Sequence, residues 1–130
     1  MLEAISTKTI GAIFDSLPLD LTFVDDTDTV RYYSKGDDRI FRRTPAVIGR
    51  KVQDCHPKKS LHKVEQVVSE LKSGRKNFAE FWIDLKGRKI YIRYFAVRDK
   101  AGKYLGTLEV TQDITDLKKI EGEKRLSDEG

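Results

Sequence analysis

The chain has 130 residues, of which 38% are hydrophobic and 35% are charged, and its formal net charge is +4. This length and composition predict one soluble globular domain with a core of its own. The basic residues are scattered, which argues against a nucleic-acid interface. No apolar run is long enough for a membrane span, and the N-terminus lacks a signal-peptide core. With its single cysteine, Cys55, the chain cannot have an internal disulfide framework, so we expect a cytoplasmic protein.

Residues 2–17 are predicted to form an amphipathic helix that flanks the domain. Pro18 ends this helix, because proline disfavours helical backbone in the residue before it. The apolar side chains fall within one arc of the helical wheel. We expect the stripe to pack on the sheet described below, and it consists of Ile10, Ile13, Phe14 and Leu17.

Two short strands are predicted next, at residues 20–25 and 30–34, joined by a turn rich in aspartate and threonine. Residues 35–52 are less regular and contain short helical turns, which suit either the wall of a pocket or a connector over a core. Residues 61–73 are predicted to form a second amphipathic helix, in which either Pro57 is the first helical residue or Ser60 is the N-cap. Gly74 is expected to form its C-cap.

Residues 77–115 predict three antiparallel strands joined by two short turns. The first strand alternates between apolar and polar residues, as a half-buried strand does. The turns at Lys86-Gly87 and at residues 98–103 are too short for a crossover, so neighbouring strands must be antiparallel. We therefore predict a meander, with the rest of the chain covering at least one of its faces.

The middle strand of the meander is apolar on both faces, which predicts that both faces are covered. One face would belong to the domain core. The other would meet the N-terminal helix or a second subunit, and the two arrangements are compatible. The residues predicted for this outer interface are Tyr91, Phe95 and Val97, together with the stripe of the N-terminal helix.

Residues 116–126 are predicted to form an exit helix, because Ile114, Leu117 and Ile120 lie near one helical face. The predicted organisation is a flanking helix at residues 1–17, a core domain at 18–115 and an exit helix with a tail at 116–130. The fold class is α+β, with a five-stranded antiparallel sheet and helices packed on one face.

This order of elements resembles the PAS fold. The end of the last predicted strand, Gln112-Asp113-Ile114-Thr115, is similar to the segment that joins the sheet of many PAS domains to a signalling helix. The opening Leu17-Pro18-Leu19-Asp20 is also similar to the start of a PAS domain. The resemblance covers residues 9–120 and implies a sensory or regulatory module in which Asp113, Ile114 and Thr115 pass on the signal.

Three further segments resemble one particular PAS module. They are residues 39–44 (RIFRRT), 49–57 (GRKVQDCHP) and 93–98 (RYFAVR). That module occurs in a family of unknown function whose members often carry a hemerythrin-like domain. The resemblance implies that the chain acts with other domains of a larger signalling protein.

The segment Cys55-His56-Pro57 has the most specific chemistry in the chain. The imidazole of His56 is a candidate ligand for haem iron, and the resemblance allows this because some PAS domains bind haem through a histidine. The alternative is structural, with Cys55 as a small buried residue and His56 at a helix entry. His62 lies opposite the apolar stripe of its helix, so we expect it to face solvent.

Three arginines, Arg39, Arg42 and Arg43, together with Arg93, are candidates for holding an anionic ligand. The alternative is surface ion pairing with Asp37, Asp38 or Glu80. Aromatic residues would supply the walls of a pocket or a dimer seam. The full set of predicted ligand-binding residues is Arg39, Phe41, Arg43, Cys55, His56, Phe81, Ile92 and Tyr94.

The sequence indicates no catalytic machinery, since it has no readable nucleophile–base pair and no glycine-rich phosphate loop. We therefore expect a sensory module that binds a small molecule or cofactor of unknown identity between sheet and helices and acts as a homodimer. Two alternatives remain open at this point: a haem-based gas or redox sensor that uses His56, and a ligand-free dimerisation or protein-interaction module.

Overall fold

A computed structural model describes residues 1–36 and 38–128, except for the side chain of Cys55. Its centre is a five-stranded antiparallel sheet with the strand order β2-β1-β5-β4-β3. The strands are β1 (Asp20–Asp25), β2 (Val30–Tyr33), β3 (Phe78–Leu85), β4 (Arg88–Arg98) and β5 (Tyr104–Asp113). The predicted α+β class and the meander of the last three strands are confirmed.

The two α-helices are α1 (Thr7–Ser16) and α2 (Lys58–Ser73). The side chain of Ser6 caps α1 by accepting a hydrogen bond from the backbone N–H of Thr9 at 3.1 Å. Residues Leu2–Ala4, which were predicted as part of this helix, form a separate 3₁₀ turn. No helix within residues 1–36 and 38–128 is long and apolar enough to cross a membrane.

Helix α2 begins one turn earlier than its apolar stripe suggests, with Pro57 at the N-cap position. Neither predicted start is therefore correct: Pro57 precedes the first helical residue, and Ser60 lies inside the first turn. The predicted C-cap is confirmed, because Gly74 has a φ of 82° and its N–H bonds to the carbonyl of Leu71.

The hairpin turns follow from local side-chain chemistry. Between β1 and β2, the Oδ1 atom of Asp25 accepts hydrogen bonds from the N–H groups of Thr27 and Thr29 at 2.9 and 3.1 Å. Between β3 and β4, Lys86 and Gly87 both have positive φ angles, which a two-residue hairpin turn requires. This turn fixes the register in which Phe81 pairs with Ile92 and Ala79 pairs with Tyr94.

The strand registers define two faces of the sheet. The inner face is the one that α2 covers. It carries Val24, Tyr94, Thr107 and Glu109, which line one cleft together with residues of α2. The outer face carries the alternate residues of the same strands. On the inner-face side of the sheet, a small apolar core contains Val24, Val30 and Val52, with Val47 and Val64 packed against it.

The segment after the sheet differs from its prediction. Residues 116–128 contain two short 3₁₀ turns, Leu117–Lys119 and Leu126–Asp128, where we predicted a continuous exit helix. The structure offers a physical reason, because Ile120 is extended, Gly122 has a φ of 63°, and Leu117 and Ile120 are exposed without a packing surface. Short isolated helices are marginal without tertiary packing. We call residues 116–128 the exit segment.

Candidate functional site

A mostly apolar cleft lies between α2 and the inner face of the sheet. Its volume is about 190 Å³, similar to an engineered cavity of about 150 Å³ that binds benzene. The apolar and aromatic lining is Val24, Val52, Val64, Val67, Val68, Phe81 and Tyr94, and the polar lining is His56, Ser60, Lys63, Thr107 and Glu109. The arrangement is typical of a small-molecule site, which combines apolar walls with a few polar groups.

The walls of the cleft follow from two sequence periodicities. Val64, Val67 and Val68 lie three and four residues apart, so they share the face of α2 that meets the sheet. On the opposite wall, Thr107 and Glu109 are two residues apart on β5 and therefore point to the same face. Helix and strand together place a carboxylate among valine side chains.

Glu109 is the central polar group of the cleft. Its side chain is only 14% exposed and lies 3.3 Å from a terminal guanidinium nitrogen of Arg43. Tyr94 is the cross-strand partner of Glu109, and burial together with this carboxylate raises the pKa of Tyr94 above its ordinary value. The ring of Phe81 meets the ring of Tyr94 edge-on, with centroids 6.0 Å apart. We call residues 34–57, between β2 and α2, the connector loop. Glu109 of β5 thus links this loop, through Arg43, to the sheet.

His56 lies at the mouth of the cleft, before α2. Its Nδ1 atom is 2.8 Å from the carbonyl oxygen of Val52. A carbonyl only accepts, so Nδ1 carries the proton and Nε2 is left with a lone pair in the neutral ring. The side chain of Cys55, predicted beside it, lies outside the described part of the structure.

A second, more polar groove adjoins the cleft on the side of the connector loop. Its volume is about 280 Å³, and it shares Val52, His56 and Glu109 with the cleft. Its other lining residues are Val30, Arg42, Arg43, Val47, Arg50 and Asp54. The ion pair between Arg43 and Glu109 therefore lies where the two spaces meet.

Three of the predicted ligand-binding residues, His56, Phe81 and Tyr94, line the cleft. Arg43 does not line the cleft, but it pairs with Glu109, which does, and it lines the adjoining groove. Ile92 does not line the cleft, although it shares the inner face with its partner Phe81.

Arg39 and Phe41 do not line the cleft either. The guanidinium of Arg39 instead forms hydrogen bonds with other parts of the protein. It donates to the carbonyls of Phe41, Leu21 and Ser34 and to the hydroxyl of Thr22, at 2.7–3.1 Å. Burial lowers the pKa of Arg39. It is a structural cation that fixes the connector to β1 and β2.

Arg93 does not join the other arginines, because it lies on the outer face. There its guanidinium stacks on the rings of Tyr91 and Phe95, at 4.8 and 5.7 Å from their centroids. The idea of a joint anion site including Arg93 is therefore wrong. Of the alternative ion-pair partners, Glu80 bonds to Tyr91, and Asp37 lies outside the described residues.

Glu109, Ser60 and Lys63 line the cleft but were not among the predicted ligand-binding residues. A signal for Glu109 was present: it stands between Leu108 and Val110, so a strand with one face on the core buries either the acid or its two neighbours. Deciding between these faces needed the register of β5 against β1, which the sequence does not contain.

The triplet Asp113-Ile114-Thr115 fastens the end of β5 to the start of β4. Oδ1 of Asp113 accepts from the N–H and hydroxyl of Thr115, and Oδ2 accepts from Arg88 Nε at 2.7 Å. The N–H of Ile114 donates to the carbonyl of Lys89 at 2.9 Å. Arg88, followed by the bonds to Thr115, lowers the pKa of Asp113 to about 2.

The outer face and α1 present apolar side chains to solvent. In the α1 stripe, Ile13, Phe14 and Leu17 are 36–45% exposed, and Ile10 is half-buried. The ring of Phe14 packs on Tyr32 of β2, with centroids 5.8 Å apart. This contact is three strands away from β4, where we expected the stripe to pack. On β4, Tyr91, Phe95 and Val97 are half-buried.

No group of three or more histidine, cysteine, aspartate or glutamate side chains in the described residues is arranged to hold a metal ion. The polar residues of the cleft instead form a network of one carboxylate, one phenol and one guanidinium. Such a network can bind an organic ligand by hydrogen bonds and charge.

Several solved structures have the same fold. A C-terminal domain from Streptococcus mutans is 36% identical, with a TM-score of 0.84 over 90% of this chain and 91% of that one. A PAS domain from Colwellia psychrerythraea is 18% identical, with a TM-score of 0.59 over 84% and 97% of the two chains. A sensory box sensor histidine kinase from Vibrio cholerae is 12% identical, with a TM-score of 0.60 over 87% and 94%. The last two likenesses concern the fold alone.

No curated protein matches the sequence. A family model described as PAS domain matches residues 10–115, which include the whole sheet, both walls of the cleft and the Asp113-Ile114-Thr115 triplet. The chain therefore belongs to the PAS domain family.

Proposed function

We propose that this chain is a sensory module, not an enzyme, that binds a small organic molecule in the cleft between α2 and the inner face of the sheet. The observation that carries the proposal is the position of Glu109 within an otherwise largely apolar lining. Burying a polar group among valines lowers the stability of the fold. A role in ligand binding would explain why the chain has such a group there. The family's occurrence in sensor histidine kinases supports a regulatory role.

The size of the cleft favours a ligand of few atoms over a haem. Pockets for drug-sized ligands have volumes of about 300–1,000 Å³, and the cleft has about 190 Å³. His56 would keep a free Nε2 for iron, but α2 would have to move away from the sheet to admit a macrocycle. A haem-based gas or redox sensor is therefore the less favoured alternative.

A ligand in the cleft would be sensed through β5. Glu109 and Asp113 are on the same strand, four residues apart, and Asp113 holds the end of the sheet to Arg88 and Thr115. A ligand that changes the bonds of Glu109 would shift the balance between two positions of this strand end. The Asp113-Ile114-Thr115 triplet would carry the change to the exit segment.

We further propose that the module works as a cytoplasmic homodimer within a larger signalling protein. The exposed α1 stripe and the half-buried aromatic side chains of β4 support an interface on the outer face. The solved Streptococcus mutans relative is the C-terminal domain of a longer protein. The resemblance to the hemerythrin-linked module supports the same kind of setting.

Native mass spectrometry and NMR titration with benzene test the proposed cleft. We expect the freshly purified protein to carry a small molecule, or benzene to shift the amide resonances of Val64, Tyr94 and Thr107. Val64→Phe should abolish binding, because its ring would fill the cleft. His62→Phe is the matched control, since His62 is on the exposed side of the same helix.

Loss of binding in Val64→Phe but not in His62→Phe would support the cleft as the site. A protein of bare-chain mass whose resonances do not respond to benzene would contradict it and would favour the ligand-free interaction module. A Soret band that His56→Ala removes would instead establish the haem alternative.

A further inference from the structure

The ion pair between Arg43 and Glu109 is unusual in its position and its geometry. It joins the connector loop to the inner face across 66 residues of sequence, at the boundary between the cleft and the arginine-lined groove. Both side chains are mostly buried, with exposed fractions of 23% and 14%. A pair in this position separates an apolar space from a cationic one.

The pair is not at its strongest geometry. Its single contact is 3.3 Å long, whereas optimal charge-assisted bonds between nitrogen and oxygen are about 2.7–2.9 Å and are often doubled for arginine and carboxylate. The other terminal nitrogen of Arg43 donates to the carbonyl of Arg42. A second carboxylate with freer geometry would therefore bind Arg43 better than Glu109 does.

The charge of the groove favours an anion with one negative charge. Three guanidinium groups, of Arg42, Arg43 and Arg50, face two carboxylates, of Asp54 and Glu109. Within the described residues, the guanidinium of Arg50 donates to a backbone carbonyl, that of Asp54. The surplus of one positive charge matches a monocarboxylate better than a phosphate, which carries close to two charges at neutral pH.

We propose that the ligand is a small apolar monocarboxylate, with its apolar part in the cleft and its carboxylate on Arg43 in place of Glu109. This inference rests on the proposed function, because it assigns a ligand class to the same cleft. Displaced from Arg43, Glu109 would remain beside its cross-strand partner Tyr94. The competition makes the state of Glu109, and so of β5, depend on the ligand.

The test compares phenylacetate with its uncharged analogue phenylacetamide by NMR titration of the full chain. We expect the acid to bind about fivefold more tightly than the amide, which is the upper end of the range for exposed ion pairs. Arg43→Gln should remove this preference. Glu109→Gln should strengthen acid binding by about fivefold, because it frees Arg43 and removes a repelling charge, and should leave amide binding unchanged.

Arg50→Gln is the matched control, because Arg50 lines the same groove without contacting Glu109. It should keep most of the preference for the acid. Glu109→Gln retains an oxygen for the Tyr94 hydroxyl, and its fold is checked by the thermal unfolding of the ligand-free protein.

The possible failures are distinguishable. Equal binding of acid and amide would overturn the carboxylate inference and leave the proposed cleft intact. Tighter acid binding that Glu109→Gln does not increase would overturn the competition between the two carboxylates. Binding of neither probe, together with no response to benzene, would overturn the proposed function as well.

Discussion

The two faces of the sheet differ in their buried polar side chains. The covered inner face contains Asp20, Thr22, Thr107 and Thr111, all at most 5% exposed, and the largely buried Glu109. The outer face buries Leu21 and Val110, whereas Phe78 and Trp82 there are 42% and 61% exposed. The inner face also buries Val24 and Ile90, so its polar groups lie among apolar ones.

This difference indicates a division of roles between the faces. Each buried polar group on the inner face restricts how that face packs, and several hold the connector, as Asp20 does by accepting from the N–H of Ile40 at 2.7 Å. The outer face offers exposed apolar area, with the guanidinium of Arg93 stacked among its aromatic rings. We interpret the inner face as the ligand side and the outer face as the partner side.

The largest expected loss of stability comes from a substitution at Gly106, which lies on the outer face of β5. A Cβ atom added there would lie 2.2 Å from the carbonyl oxygen of Val24 and 2.6 Å from the ring of Phe23. Gly106→Ala should therefore lower the free energy of unfolding by about 4 kcal/mol or more, or prevent folding. Gly11→Ala in α1 is the control, because nothing lies near its added methyl group. Equal stabilities in urea unfolding would contradict the close packing of β1 on β5.

Arg39 provides the next largest effect, and it tests the inner face. Arg39→Lys keeps the charge but cannot reach the four acceptors that the planar guanidinium joins. We expect a loss of about 2 kcal/mol in urea unfolding, because bonds from charged donors each contribute about 1.5–3 kcal/mol and a lysine keeps some of them. Arg42→Lys, at an exposed position, should change little.

Much of the architecture was predictable because it depends on local patterns. The alternation in the meander, the turn at Lys86-Gly87 and the C-cap at Gly74 each act over a few residues, and all three appear as expected. The role of Arg39 and the site at Glu109 depend on long-range register, which no local pattern contains. The exit helix was overpredicted because an apolar spacing was present without a surface to pack against.

The dimer proposal predicts a smaller effect on the partner side. Ile13→Asp places a charge in the exposed α1 stripe and should weaken self-association at least about tenfold, since burying an unpaired carboxylate is costly. Ala12→Asp introduces the same charge on the exposed opposite side of α1 and should leave association unchanged. Light scattering over a concentration series measures both. A wild-type chain that stays monomeric throughout would remove the outer-face dimer.

The smallest effect is a pH dependence at Asp113, the last residue of β5, which joins the sheet to the exit segment. The pKa of its carboxyl group is lowered from 3.8 to about 2 by Arg88 and Thr115. Because the folded pKa is the lower one, the ionised group stabilises the fold above pH 4, and this contribution is lost as the pH falls from about 4 to 2. In urea unfolding, Asp113→Asn should be less stable than the wild type at pH 7, with a gap that closes near pH 2. Asp116→Asn, whose carboxylate is 3.4 Å from Arg88 and 79% exposed, should show little gap at any pH. A gap for Asp113→Asn that persists unchanged at pH 2 would mean that the hydrogen-bonding geometry of the triplet, and not its charge, holds β5 to the start of β4.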